Sequence, residues 1–389
     1  MLSANKSFRP IARFRFFILF LHKMSGKYSN KPRSETLKRG QTHSESDRVD
    51  RRKSAPFCWA VWIPAVLLLL FTCTAVSASD YEVVESDTQY FDIQPNSLLQ
   101  LKVGNGNLHI NTWDRPGISV RMKKWARAGN RKKAEAKLHD LEIEFDTRDD
   151  GILIHELGRG ESNPFSGLLR SAGLKKAPST RVDFDISIPE AIRLKLEKPD
   201  GETRLSGIEG DVTINQKKGI LFVSDIVTDK LELKLGEAVI NVSNVQGPSG
   251  GGSYVNFSID KGEINFQDSN MLRLIARSRE ADIYLVNNEI KSGEIETDTG
   301  DLFFNCNLQP DSQIEALSES GNIYLLLSSR PPSRISAETG IGVIRCSYNW
   351  PVEKSGAGHI LNYTGNGSNR STCSFISEIG DIFIQSKWQ

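Results

Sequence analysis

KGEINFQDSNMLRLIARSREADIYLVNNEIKSGEIETDTGDLFFN, residues 261–305, states one short phrase three times. A turn residue (Gly262, Ala281 or Gly300) precedes an acidic residue, and apolar residues follow two and four places after the turn. These are Ile264/Phe266, Ile283/Leu285 and Leu302/Phe304, with Phe257, Ala276 and Ile295 five places before each turn. Alternation on each side of a turn reads as two short strands with one face inward.

Outward from this stretch the phrase extends to nine turns: Gly201, Gly219, Gly236, Gly262, Ala281, Gly300, Gly321, Gly342 and Gly380. Of the 27 inward slots so defined, only Thr203 is polar. Turn-to-turn spacing stays near 20 residues except for 26 before Gly262, where the Gly247–Gly251 turn is inserted, and 38 before Gly380. That period predicts an all-β, parallel β-solenoid over residues 191–389, with a right-handed coil as the expectation, in which each coil hydrogen-bonds to the next. Nine or ten coils at about 4.8 Å give a stack on the order of 45 Å long. The wide gap predicts a degenerate coil or an excursion within NWPVEKSGAGHILNYTGNGSNRST, and the tail at Lys387-Trp388 is expected to cap that end.

Residues 82–190 read as a β-rich cap domain. FDIQPNSLLQLKVGNGNLHINTW alternates, and Asn105-Gly106 predicts a hairpin. Ala134, Leu138 and Leu141 are spaced for one short helix on the sheet. Glu142–Phe145, Gly151–His155 and Val182–Ile188 read as strands, and residues 161–180 as a Gly/Ser/Pro-rich loop.

The formal net charge of +1 hides an asymmetry. Residues 1–56 carry 14 Lys/Arg against 4 Asp/Glu and read as a disordered basic tail. No charge falls from Ala55 to Ser79, enough apolar chain to cross a bilayer. Residues 57–78 are therefore a transmembrane helix or a signal peptide, with Arg51-Arg52-Lys53 on the cytoplasmic side and everything after residue 79 exported. Val76-Ser77-Ala78 suits cleavage near Ala78, and Leu70-Phe71-Thr72-Cys73 is a poor lipoprotein box. The location is the cell envelope, single-pass or secreted.

Chemistry-bearing motifs are few. Gly247-Pro248-Ser249-Gly250-Gly251 matches a nucleophile elbow but has strands on both sides and only His359 downstream, so it reads as a turn. The six His residues have no ligand spacing, His155-Glu156 included, and no metal or cofactor site is expected. Glu202, Glu237, Glu263, Asp282, Asp301 and Asp381 should form one ridge, as turn residues or as calcium ligands. Cys346 falls in an inward column and Cys306 beyond it, too far apart for a disulfide. The basic run Arg121–Lys133 suits a solvated flank, anionic lipid or wall polymer, while nucleic acid is not expected as a partner.

The segments FDIQPNSLLQLKVGNGNLHINTWD and VDFDISIPEAIRLKLEKPDG, with the recurring Gly-Asp/Glu-strand units, resemble the bacterial adhesin-like family of β-strand-repeat domains of unknown function, kin to head-domain autotransporter adhesins. The resemblance covers roughly residues 82–389 and implies a fold and an envelope location; it carries no catalytic residue to transfer. The expected function is a non-catalytic envelope protein binding a surface, polymer or partner protein, with the membrane reached through residues 57–78. Two alternatives stand beside it: a transmembrane sensor using the basic tail, and a polysaccharide-active enzyme using Asp225, Glu232 and Asp260.

Overall fold

Side chains that alternate in and out, with a tight turn every twenty residues, let a strand bend and continue around a dry interior. The computed structural model of the protein describes residues 81–157, 179–327, 334–365 and 370–386. The uncharged span 57–78, most of the 161–180 loop and Lys387-Trp388 lie outside the described residues. No helix among the described residues is long and apolar enough to cross a membrane.

The elements run β1 (Tyr81–Phe91), β2 (Leu98–Lys102), β3 (Leu108–Trp113), β4 (Ile118–Ala128), α1 (Arg131–His139), β5 (Glu142–Arg148), β6 (Gly151–Leu157) and β7 (Thr180–Pro189). Then come β8 (Arg193–Lys198), β9 (Glu202–Ser206), β10 (Val212–Val227), β11 (Lys230–Gln246), β12 (Ser253–Gln267), β13 (Asn270–Thr299), β14 (Leu302–Ser320) and β15 (Ile323–Leu327). The chain ends with β16 (Arg334–Ile341), β17 (Ile344–Cys346), β18 (Val352–Ser355), β19 (Gly358–Thr364), β20 (Thr372–Ile379) and β21 (Ile382–Ser386).

From β8 to β15 each coil pairs in parallel with the next, so the solenoid-like stack is present. One buried apolar cluster runs from Leu99 to Ile384. Each coil has two corners. At the first stands a glycine in most coils and an alanine in two (Ala238, Ala281), and at Gly262 (φ +141°) an added Cβ would lie 1.8 Å from the Ala238 carbonyl oxygen. Only a residue without a side chain fits so close to the coil below. At the second corner Asp225, Asn244, Asp268 and Asn287 take φ values of 53–57°, the left-handed conformation that Asx residues tolerate best.

The stack is not in chain order at either end. β20 and β21 pair in parallel with β14 and β15 on one side and with β16 and β17 on the other. The last coil is thus interposed between two earlier ones. Packing explains the choice: Phe375 stands in register with Ala316 on one side and Ala337 on the other. Stacked in chain order, those two alanines would face each other and leave a void. The wide gap before Gly380 holds the β18–β19 hairpin, antiparallel to β16, which covers the end of the stack. Tyr348, Trp350 and Tyr363 stack at 4.5 and 4.0 Å and pack against the core there.

At the other end β2 and β3 lie between β6/β7 and β8/β9. The expected Asn105-Gly106 hairpin is therefore wrong: β2 and β3 do not pair with each other, and the tight turn between them is a coil corner. The local chemistry of the two is the same, and only the partner strands differ. The sheets run on past residue 190, since β2 and β3 pair directly with β8 and β9. Antiparallel β4 and β1 extend one sheet and β5 the other, while α1 buries Ala134 and Leu138 as its spacing predicts.

The turn assigned to Gly236 also needs correction. Gly219 pairs with Ala238, and Ala238 with Gly262, so the inward slots of that coil are Leu233, Ile240 and Val242. A two-residue slip keeps every side chain on its face, so the apolar pattern cannot detect it.

Candidate functional site

Two lateral faces are available, one formed by the strands before the first corner and one by those after it. The face before the corner is charged and cross-linked. Arg277 pairs with Glu294 and with Glu296 (3.5 Å), Lys230 with Glu232 (2.9 Å) and Arg273 with Glu294 (3.9 Å).

The face after the corner differs in kind. Its middle outward column reads Arg204, Phe222, Asn241, Asn265, Tyr284, Phe303, Tyr324, Phe383 and Arg345 in spatial order. Four of these rings stack nearly parallel, at 4.4 Å (Tyr284–Phe303), 4.4 Å (Phe303–Tyr324) and 4.9 Å (Tyr324–Phe383). Arginines lie over the terminal rings, Arg204 at 4.3 Å from Phe222 and Arg345 at 5.7 Å from Phe383. The next column outward is Ser206, Ser224, Ser243, Gln267, Val286, Asn305, Leu326, Gln385 and Ser347, without a charge.

On the other side of the rings lies the acidic ridge, whose chemistry is structural. Asp282 Oδ1 accepts the Asp301 amide (2.8 Å), Asp301 Oδ1 the Asn322 amide (2.8 Å), and Asn322 Oδ1 the Asp381 amide (2.9 Å). Asp381 Oδ1 then accepts the Val343 amide at 2.9 Å. Each side chain ties its own turn to the next coil. Burial, opposed by these amides, raises the Asp301 carboxyl above its usual range. Glu237 leaves the ridge because of the register slip and pairs with Lys218 at 2.5 Å, while Val239 takes its place. No cluster of three or more metal-ligating side chains occurs among the described residues.

Inside the first corner, three places before the turn, sits a second polar column that the inward pattern missed. Thr297, Ser318, Ser377 and Thr339 direct hydroxyls to turn carbonyls of Ala281, Gly300, Gly321 and Gly342 at 3.4, 3.2, 2.8 and 3.2 Å. Gln216 donates to Gly201 O at 2.9 Å, and Lys198 donates to Glu202 O at 2.6 Å and Thr203 Oγ1 at 3.2 Å. Burial lowers the Lys198 ammonium to about 8, and burial raises the nearby Glu156 carboxyl. These groups satisfy buried carbonyls, which otherwise cost free energy.

The remaining candidates separate. Asp225 sits at the second corner and accepts from Asn244 Nδ2 (2.7 Å), Glu232 on the charged face, and Asp260 beside the first corner, so the three carboxylates meet in no cleft. Residues 248–250 form a one-turn 3-10 helix between β11 and β12, and His359 Nδ1 lies 2.8 Å from Gly342 O at the far end. Cys346 is half-buried and Cys373 buried. In the basic run, Arg121 and Arg127 pair with acids (Asp185 at 3.6 Å, Glu82 at 2.8 Å), as does the neighbouring Arg181 of β7 (Asp183 at 3.6 Å). Lys123 and Arg181 flank the Trp125 ring at 4.3 and 4.6 Å, so this outward face of β4 is largely neutralised.

A family model described as Toastrack DUF4097 matches residues 97–385, from the start of β2 into β21. The chain belongs to the Toastrack DUF4097 family. Among curated proteins none matches. Solved structures similar to this Toastrack chain include a "putative cell adhesion protein" of Clostridium sporogenes (15% identity, TM-score 0.20, covering 78% of this chain and 100% of that one). Others are a "putative adhesin" of Bacteroides fragilis (11%, 0.36, 78% and 97%) and a "putative lipid binding protein" of Parabacteroides distasonis (8%, 0.40, 77% and 97%). The names of these proteins describe adhesion or binding, not catalysis.

Proposed function

We propose that the protein is a non-catalytic, adhesin-like binding module of the cell envelope, and that it holds a surface, polymer or partner protein against the face formed by the strands after the first corner. The supporting observation is the contrast between faces. One is crossed by ion pairs, as a solvated surface is; the other carries an uninterrupted aromatic and amide strip that no element among the described residues covers. Repeat stacks bind through such extended faces without a pocket. Export fits the uncharged span 57–78, either retained as an anchor or cleaved near Ala78.

The test is retention of the full chain on intact cell envelopes. Asn305→Arg puts a bulky charge in the middle of the uncharged strip and is expected to lower retention at least tenfold. Ser258→Arg, on the opposite face, is expected to leave it unchanged. Equal effects of the two would rule the assignment out.

A further inference from the structure

We infer that the ligand of this strip is a neutral, polyhydroxylated chain, a polysaccharide without carboxylate, sulfate or phosphate groups. The inference rests on the reading of that face as the binding surface.

Charge is the first argument. Asp282, Asp301 and Asp381 run beside the rings, and between Arg204 and Arg345 the ring column and its serine/amide neighbour contain no cation. An anionic polymer, lipid headgroup or nucleic acid would meet repulsion there without a compensating partner.

Hydrogen-bonding capacity is the second. The side chains of Gln267, Asn305 and Tyr284 are half-buried on the face, and none of them hydrogen-bonds to another described residue. Amides and a phenol offer both donors and acceptors, the set that sugar hydroxyls require. Burial, with Asp282 and Glu263 nearby, raises the Tyr284 phenol, so it keeps its proton across the physiological range.

Ring presentation is the third. Because Tyr284, Phe303, Tyr324 and Phe383 cover one another's faces, the edges point to solvent. Ring edges carry partial positive charge and suit hydroxyl oxygens. A protein partner's side chains would pack against aromatic faces, and along Tyr284, Phe303, Tyr324 and Phe383 those faces are covered by neighbouring rings. Since the rings recur once per coil, about every 4.8 Å, and the amides Gln267, Asn305 and Gln385 on every second coil, a repeating ligand engages several at once.

Affinity electrophoresis of the full chain through gels containing a soluble β-glucan, an α-mannan, a galactomannan or polygalacturonate tests this. At least one neutral polymer is expected to retard the protein, and polygalacturonate is expected not to. The double variant Tyr284→Phe/Asn305→Ala, which keeps the ring stack, should lose at least fivefold in affinity, and Ser258→Arg nothing. Retardation by none of the neutral polymers, or by polygalacturonate alone, overturns the inference, as does a double variant that binds like the parent. If Asn305→Arg still lowers envelope retention in that event, the face binds a ligand of another class (an acidic polymer where polygalacturonate alone retards, a protein where no polymer does) and only the ligand class fails. If it does not, the binding face fails with it.

Discussion

At the scale of single residues, the polar groups inside the first corner were the least legible. A lysine, a glutamine and a run of Ser and Thr three places before the turn look, in the sequence, like breaks in an apolar column. Their cause is the tight turn itself, which points carbonyls inward, and no residue pattern displays a carbonyl. The Asx residues of the second corner were passed over too, Asp225 being read as a candidate carboxylate: Asp225, Asn244, Asp268 and Asn287 recur six places after Gly219, Ala238, Gly262 and Ala281, a spacing that the Gly236 assignment hid at Asn244. Lys198 gives this scale its prediction. Its ammonium falls from 10.5 to about 8 on folding. Between those values the unfolded chain holds a proton that the folded chain has lost, so stability rises with pH across that window. From pH 7.5 to 9.5 this group should add about 2 kcal/mol. In Lys198→Met that increment should vanish. Urea midpoints at the two pH values measure it, and an unchanged pH dependence in the variant would refute the buried-lysine account.

At the scale of elements, inward alternation located nearly every strand and the helix at 131–139, because burying one face of a strand or helix leaves a period that survives any rearrangement of partners. What it left open was register and partner. The Gly236 slip preserved every face, and the hairpin assigned to Asn105-Gly106 used the same turn chemistry as a coil corner. The order of the last coils was available in side-chain volume, though only once interposition was considered: Phe375 fills the space that Ala316 and Ala337 leave. Phe375→Ala should cost about 3–5 kcal/mol, the usual range for a buried ring. Ala337→Leu alone should cost about 1–3 kcal/mol by overpacking. Combined, the two should recover part of the loss, because the new leucine occupies the vacated volume. A double-mutant cycle by chemical denaturation reads the coupling. Strict additivity would place Phe375 away from Ala337 and contradict the interposed order.

At the scale of the whole described stack, the two interposed coils have one consequence in common. A coil at the end of a repeat stack has one neighbour and opens first, as the one-dimensional picture of repeat proteins requires. Here neither the first coil (β2/β3) nor the last (β20/β21) has an open side, since each is paired in parallel on both. The outer positions belong instead to internal segments held from both directions along the chain, with antiparallel hairpins and aromatic or helical cover beyond them. Such an arrangement hides the edges that parallel stacks otherwise expose to association. Nine near-identical phrases cannot encode it, because every coil is a competent neighbour for every other. Hydrogen exchange distinguishes the two orders. If the last coil were simply the end of the stack, the amides of Thr372–Ile379 would exchange through local fraying, faster than those of Gln313–Ser320. With both sides paired, the two segments should share one opening free energy, that of global unfolding, while β18–β19 exchanges ahead of them. Earlier exchange of Thr372–Ile379 than of β18–β19 would mean that the interposed coil is not locked in place.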